Sequence, residues 1–274
     1  MFLIAFADSA AGAYDASPKL LTWIVLIGTQ GAIAGFSFAL VTGMLSQTHQ
    51  ENRLREWPYA LAISVCVICL LLLATGVAPS LFKRKWQAPL GAQHDFIIIV
   101  LTVAFSAPSI LAVFTMWSTA LGIRRGAGAP ALENVFRLNV ARARLRNLLW
   151  LMSLQIGAAT LSTGALRAWI IDTDANAAKA FPRELVLAHG GYFAVILALC
   201  FIPAYTHIQR VGESCRDFGL SALGGLETKT WLAHHQELST QYGLDANPAD
   251  IFRDTVAIAT PILTSILSFS LPGG

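Results

Sequence analysis

Long uncharged stretches alternate with charged ones along this chain, and they cover residues 20–50, 57–82, 96–123, 147–166 and 185–209. A helix that crosses a bilayer needs about 20 largely apolar residues, because it rises ~1.5 Å per residue through a hydrocarbon layer of about 30 Å. Backbone groups find no water in that layer, so helices that pair them internally are expected. The pattern predicts five transmembrane helices, near residues 20–45, 59–82, 96–123, 148–171 and 185–208.

Composition supports the same class. Hydrophobic residues make up 55% of the 274 residues and charged residues only 13%, whereas a soluble domain carries about 25% charged residues. The formal net charge of +3 is too small to indicate a nucleic-acid-binding protein. The predicted fold class is therefore all-α, a polytopic transmembrane helical bundle with a small helical cytoplasmic tail.

Three regions are predicted: an N-terminal interfacial segment over 1–19, a transmembrane domain over 20–210, and a C-terminal cytoplasmic helical region over 211–274. Within the last region, Asn247 is expected to cap a helix that Pro248 begins. The uncharged stretch from residue 255 onward is rich in hydroxyls and contains prolines. We expect it to form a docked or interfacial amphipathic helix, with a sixth crossing as the alternative.

Basic residues indicate the orientation. They concentrate after the first, third and fifth predicted spans, and the positive-inside rule makes that side cytoplasmic. The expected protein is thus a multi-pass protein of the plasma (inner) membrane, with its N-terminus outside and its C-terminus in the cytoplasm. The arginine-rich stretch 131–147 fits either a basic amphipathic helix on the anionic leaflet or a charged loop that sets the topology.

Small residues recur on one face of two predicted spans. The first span carries Gly28, Gly31 and Gly35, followed by Ala39 and Gly43 in the same spacing. The fourth span repeats the pattern, with the residues Ser153, Gly157, Thr160 and Gly164. Such faces let helix backbones approach closely in lipid. They suit packing inside one subunit, which we favour, or a contact between subunits.

Three polar side chains fall inside predicted spans. Gln30 and Gln155 are expected to contact each other or share a water molecule, because a buried amide needs a partner. Arg167 lies near the outer end of the fourth span, where it is expected to extend toward water and to pair with Asp172 or Asp174. A buried carboxylate is absent from the spans, which argues against a proton- or sodium-coupled transporter.

The C-terminal stretch places Thr260, Thr264 and Ser268 four residues apart, and hence on one side of a helix. A hydroxyl stripe opposite an apolar face suits a pore when several copies assemble. It equally suits a helix that lies on the membrane or docks on the bundle with its hydroxyls toward water, which we favour.

No sequence motif for a catalytic nucleophile, a metal set or a phosphate-binding loop is present, so we expect a protein that is not an enzyme and has no cofactor or metal. The exception to consider is haem, because His49, His94, His189 and His207 fall near the ends of spans. The last two are 18 residues apart, or about 27 Å along a helix, which favours interfacial histidines over haem ligands.

The leading functional hypothesis is a non-enzymatic membrane protein that works through assembly. It is either a passive pore or channel, or a membrane subunit or effector controlled by its cytoplasmic tail. Its partners are then the lipid bilayer and either further copies of the chain or a membrane partner chain, without nucleic acid. The alternatives are a transporter of a small, weakly polar solute and, third, a haem-binding membrane redox subunit.

Overall fold

The computed structural model describes residues 18–51, 57–81, 92–123, 131–173, 182–221, 228–245 and 247–270. These residues form helices and connecting turns, with no strand among them. The helices are α1 (Pro18–Glu51), α2 (Trp57–Leu81), α3 (Ala92–Gly122), α4 (Ala131–Thr173), α5 (Arg183–Ser221), α6 (Thr228–Gln241) and α7 (Pro248–Leu267), and the 3-10 turn Ser268–Ser270 follows α7. The all-α class predicted from the sequence is confirmed for this part of the chain. The N-terminal segment 1–19 lies almost wholly outside the described residues.

Several of these helices are compatible with a multi-pass membrane protein. Four of them contain a stretch long and apolar enough to cross a bilayer: Pro18–Gln47, Ala104–Gly122, Glu133–Asp172 and Arg183–Ser221. Within the described residues, α2 contributes a shorter apolar stretch, Trp57–Cys69. The number of five spans stays a prediction.

Helix α4 is the centre of the bundle, because it packs against α1, α3, α5 and α7. Its side chains Leu145, Leu148 and Leu149 are fully buried, as is Leu197 of α5. Polar contacts fix the helix directions. Lys19 at the start of α1 pairs with Asp172 at the end of α4. The bundle is therefore built around an antiparallel α1–α4 pair, on which α5 and α7 pack from another side.

The basic stretch 131–147 differs from both structures expected for it. It is neither a loop nor a separate surface helix, because α4 continues without a break from Ala131 to Thr173. With 43 residues, α4 is about 64 Å long, roughly twice the hydrocarbon thickness. Helix α5 also runs past the predicted span, as far as Ser221. The two helices together extend beyond the apolar zone at the end where Arg142 and Arg146 lie, which we call the arginine end.

The C-terminal helix α7 begins as predicted. The Asn247 side chain accepts a hydrogen bond from the N–H of Ala249 at 3.0 Å, Pro248 takes the first position, and Asp250 lies in the first turn. Helix α7 packs along α4 and α5, whereas α6 packs on α5. The predicted domain boundary at residue 211 stays a prediction.

Candidate helix-packing and interaction site

The small-residue face of α4 and the hydroxyl stripe of α7, both predicted from the sequence, lie against each other in the same chain. A Cβ atom added at Gly157 would lie 3.2 Å from Cγ2 of Thr260 and 3.3 Å from Cγ2 of Thr264. A Cβ atom added at Gly164 would lie only 2.4 Å from Cβ of Ser268. The missing side chains of the two glycines thus create the space that α7 occupies.

The hydroxyls of the stripe are engaged within α7. Thr260, Thr264 and Ser268 each donate to a backbone carbonyl three or four residues earlier, at 2.8, 2.9 and 2.6 Å respectively. The two threonine methyl groups lie nearest to a Cβ added at Gly157, at 3.2 and 3.3 Å, and the Thr264 hydroxyl oxygen lies at 3.8 Å. The structure therefore places the stripe at a helix–helix contact inside one chain, with its hydroxyl hydrogens already used.

A hydrogen bond from α4 to α7 compensates for a proline. Pro261 lies inside α7 and has no N–H, so the carbonyl of Ala257, four residues earlier, lacks its helical donor. Ser153 of α4 donates its hydroxyl to that carbonyl at 2.6 Å. Both residues are buried, and an unpaired carbonyl in an apolar zone is costly. Ser153 therefore holds α7 in register and satisfies the group that Pro261 leaves open.

Helix α5 supplies the other wall of the groove that holds α7. A Cβ atom added at Gly190 would lie 2.5 Å from the backbone oxygen of Pro261 and 2.8 Å from the Ser265 hydroxyl. The neighbouring Gly191 has open space around it. Sequence reasoning missed Gly190, although the Gly190–Gly191 pair inside an apolar helix was a usable signal.

The small-residue face of α1 has a different environment. Gly31 packs against a described residue, since its added Cβ would meet the Phe105 ring at 3.4 Å. At Gly28, Gly35 and Gly43, an added Cβ meets no described atom within 4 Å, and all three positions are exposed. We call these three residues the α1 glycine face.

The two intramembrane glutamines have separate environments. Gln155 donates its side-chain amide to the backbone carbonyl of Phe105 in α3. Pro108 has no N–H, so the carbonyl of Ala104, next to Phe105, lacks its helical donor. Gln155 therefore supports α3 at the point where its backbone hydrogen bonds are interrupted. Gln30 is buried at 9% exposure. The expected contact of Gln30 with Gln155, direct or through a shared water molecule, stays a prediction.

The end of the bundle opposite the arginine end carries Arg167, which is buried at 7% exposure. Arg183 and Glu184 of α5 are among the charges that act on it electrostatically. Asp172, one of its two expected partners, bonds to Lys19 at 2.8 Å, while Asp174 lies outside the described residues. Nearby, Trp23 of α1 stacks on Trp169 of α4, with ring centroids 5.6 Å apart.

At the arginine end, Arg146 joins α4, α5 and α7. Its Nη1 donates to Asp250 at 2.7 Å and its Nε to Asp254 at 3.2 Å. Its Nη2 lies 3.4 Å from the Tyr205 hydroxyl, and its guanidinium carbon stands 5.7 Å from the centre of the Tyr205 ring. The sequence analysis placed this arginine either in a basic helix on the anionic leaflet or in a charged loop that sets the topology. The spacing of Asp250 and Asp254, one turn apart on α7, was the available indication of a shared cation.

Arg142 and Asn139 hold the end of α6. The Arg142 guanidinium donates to the carbonyl of Tyr242, and the Asn139 amide donates to the carbonyl of Gln241 at 3.3 Å. Gly243 follows with φ of 60°, and a Cβ there would lie 2.7 Å from Arg142 Nη1. A cation at the last carbonyls of a helix is favourable. Burial, with a smaller contribution from Cys215, raises the pKa of Tyr242, so its phenol stays neutral at physiological pH.

Metal binding and haem binding are the two other kinds of site considered for the described residues. They hold no group of three or more His, Cys, Asp or Glu side chains placed to bind a metal ion. His189 packs edge-on against Phe193, with ring centroids 4.6 Å apart. Comparison of the chain with known protein families, with curated proteins and with solved structures finds no match.

Proposed function

We propose that this chain is a non-enzymatic, multi-pass membrane protein that works through assembly, as a membrane subunit or effector that binds a further transmembrane helix through the α1 glycine face. The observation that carries the proposal is that Gly28, Gly35 and Gly43 are exposed and that a Cβ added at each meets no described atom within 4 Å. In the same chain, the equivalent glycines of α4 are closely covered by α7.

The physical reason lies in how helices associate in lipid. Hydrocarbon tails are as apolar as leucine, so the gain comes from close backbone approach and packing, which small residues allow. Residues 20–47 of α1 carry no charge, so the partner is expected to be another membrane helix. A second copy of the chain is the first candidate, because a face of small residues can be complementary to itself across a two-fold axis. A different membrane chain is the other.

We also propose that α7 is a sixth crossing. Arg146 contacts Asp250 at the start of α7, while the Arg183 guanidinium stands 6.0 Å from the ring of Phe269, just past its end. Helix α7 therefore runs parallel to α4 from the arginine end to the end where α1 begins. With the arginine end cytoplasmic, as the positive-inside rule suggests, the start of α1 and the end of α7 both lie on the outer side of an inner membrane. This proposal revises the C-terminal orientation expected from the sequence.

The contacts of α7 favour the subunit version over the pore version. A pore lined by Thr260, Thr264 and Ser268 needs these residues to face a shared channel, and in this fold they face α4. Transport of a small solute past Gln30 and Gln155 is the weaker alternative, since the Gln155 amide already donates a hydrogen bond to the carbonyl of Phe105. A haem-binding redox subunit finds no supporting contact at His189.

The test is the oligomeric state in a mild detergent, measured by light scattering on the purified protein. We expect an oligomer of the unaltered chain and a monomer for Gly35→Leu, whose side chain blocks close approach on the α1 glycine face. Gly191→Leu is the matched control, because a Cβ at Gly191 also meets no described atom within 4 Å, but Gly191 lies on α5 and outside the α1 glycine face. It should keep the oligomer.

A monomeric unaltered chain that also captures no membrane partner through α1 would contradict the proposal. So would an oligomer that Gly35→Leu leaves intact. A chain that is monomeric alone but is cross-linked through residue 35 to a different membrane protein would identify a partner chain in place of a second copy.

A further inference from the structure

Helix α7 packs inside the bundle of membrane helices, although its most apolar stretch is less apolar than theirs. It is not among the described helices that are apolar enough to cross a membrane by themselves. It nevertheless packs along α4 and α5, with its apolar residues Ile262, Leu263, Ile266 and Leu267 on the open side. Its polar and small residues face the groove, so α7 is amphipathic within the bundle.

An amphipathic helix of this kind has two favourable positions. One is the groove between α4 and α5, where Ser153 and the glycines accommodate its polar side. The other is the membrane surface, where the polar side meets water and the apolar side remains in lipid. What separates the two positions here is the set of contacts specific to the groove.

The charged contacts among them are the ion pairs at the arginine end. Arg146 bonds to both Asp250 and Asp254, and the side chain of Asp254 is only 13% exposed. Removing one partner from a largely buried ion pair leaves an uncompensated charge, which is strongly unfavourable. Tyr205 of α5 and Arg253 of α7 also act on this cluster, but Arg146 is the only cation that the structure shows bonded to both carboxylates among the described residues.

We propose that Arg146 makes α7 a conditionally inserted helix: the ion pairs with Asp250 and Asp254 hold α7 in the groove, and their loss releases it to the membrane surface at the arginine end. Release uncovers Gly157 and Gly164 of α4, the same kind of face that α1 leaves open. The inference rests on the proposed sixth crossing, and it does not depend on association through α1.

Sided labelling of the full chain tests this. Cys66, Cys69, Cys200 and Cys215 are replaced by alanine, and one cysteine is appended after Gly274. A membrane-impermeant maleimide is then applied separately to right-side-out and inside-out vesicles. With Arg146 present, we expect labelling from the face opposite the arginine end. In Arg146→Gln, the fraction labelled at the arginine end should rise on the order of a hundredfold. Arg146→Lys keeps the charge and should retain most of the original sidedness.

The outcomes separate the two proposals. If the parent chain is labelled at the arginine end, both the sixth crossing and the conditional insertion are wrong. If the parent is labelled at the opposite face and Arg146→Gln behaves like it, only the conditional insertion is wrong. Should Arg146→Gln fail to fold, the double variant Asp250→Asn and Asp254→Asn makes the same test, and unchanged sidedness there overturns the inference.

Discussion

Helices α1 and α4 carry similar patterns of small residues, yet the two faces have different environments. On α4, the positions of Gly157 and Gly164 are filled by side chains of α7, at distances that leave no room for a methyl group at Gly164. On α1, the positions of Gly28, Gly35 and Gly43 meet no described atom within 4 Å. A spacing of small residues therefore predicts that a backbone can come close, but it does not say which helix will do so.

The difference arises because α4 also offers directional contacts. Ser153 supplies a donor for the carbonyl that Pro261 leaves open, and Arg146 supplies a cation for two carboxylates. These groups specify α7 as the occupant and fix its register. The exposed side of α1 along residues 28–43 is largely apolar and combines glycines with large side chains such as Phe36 and Phe38, so its partner is specified by shape rather than by charge.

The largest expected effect on stability comes from adding one methyl group at Gly190, where α7 packs closely on α5. Gly190→Ala places a Cβ 2.5 Å from the Pro261 backbone oxygen, which cannot move without displacing α7. We expect a loss of about 2 kcal/mol in the free energy of unfolding, as for overpacked cores. The measurement is reversible unfolding in mixed micelles, followed by circular dichroism.

A neighbouring substitution controls for the change of residue type. Gly191→Ala on α5 adds a methyl group where no described atom lies within 4 Å. Alanine favours a helix over glycine by up to ~1 kcal/mol, so this variant should leave the stability unchanged or slightly higher. Equal losses in Gly190→Ala and Gly191→Ala would show that the two positions do not differ as described.

Much of the fold could be predicted from the sequence, because the dominant signals are local. Uncharged stretches located the long helices, and the Asn247–Pro248 pair located the start of α7. The unbroken α4 was missed because its arginines suggested a loop or a surface helix. In the structure, Arg142 and Arg146 are partly or largely buried by groups about 100 residues away along the chain.

The candidate site was predictable only in its parts. Gly157, Gly164 and the hydroxyl stripe were recognised as unusual faces, but hydropathy and spacing carry no information about which faces meet. A proline inside an apolar helix is a more specific signal, since it frees a carbonyl that a neighbouring side chain must satisfy. Ser153 follows this rule, because it donates to the carbonyl four residues before Pro261. Gln155 instead donates to the carbonyl three residues before Pro108.

The second prediction concerns the hydrogen bond by which Ser153 compensates for Pro261. Ser153→Ala removes the donor for the Ala257 carbonyl and leaves a buried acceptor unpaired, which should lower the free energy of unfolding by about 1.5 kcal/mol. Ser162→Ala on the same helix is the control, because Ser162 donates within α4, to Ala158 at 2.9 Å. Adding Pro261→Ala restores a backbone donor, so Ser153→Ala should cost less in that background. A cost that is unchanged there would rule out the compensation of Pro261 by Ser153.

The smallest expected effect separates packing from pore lining. Thr264→Val keeps the methyl group that faces Gly157 and removes only a hydroxyl that donates to its own helix at 2.9 Å. If the stripe serves helix packing, the free energy of unfolding should change by no more than about 0.5 kcal/mol, and the sidedness of α7 should be unchanged. In a pore lined by the stripe, the same change would replace a water-facing hydroxyl with an apolar group and reduce conductance in planar bilayers. A conductance that is present in the unaltered protein and lost in Thr264→Val, at unchanged stability, would therefore overturn the assignment of this face to α4.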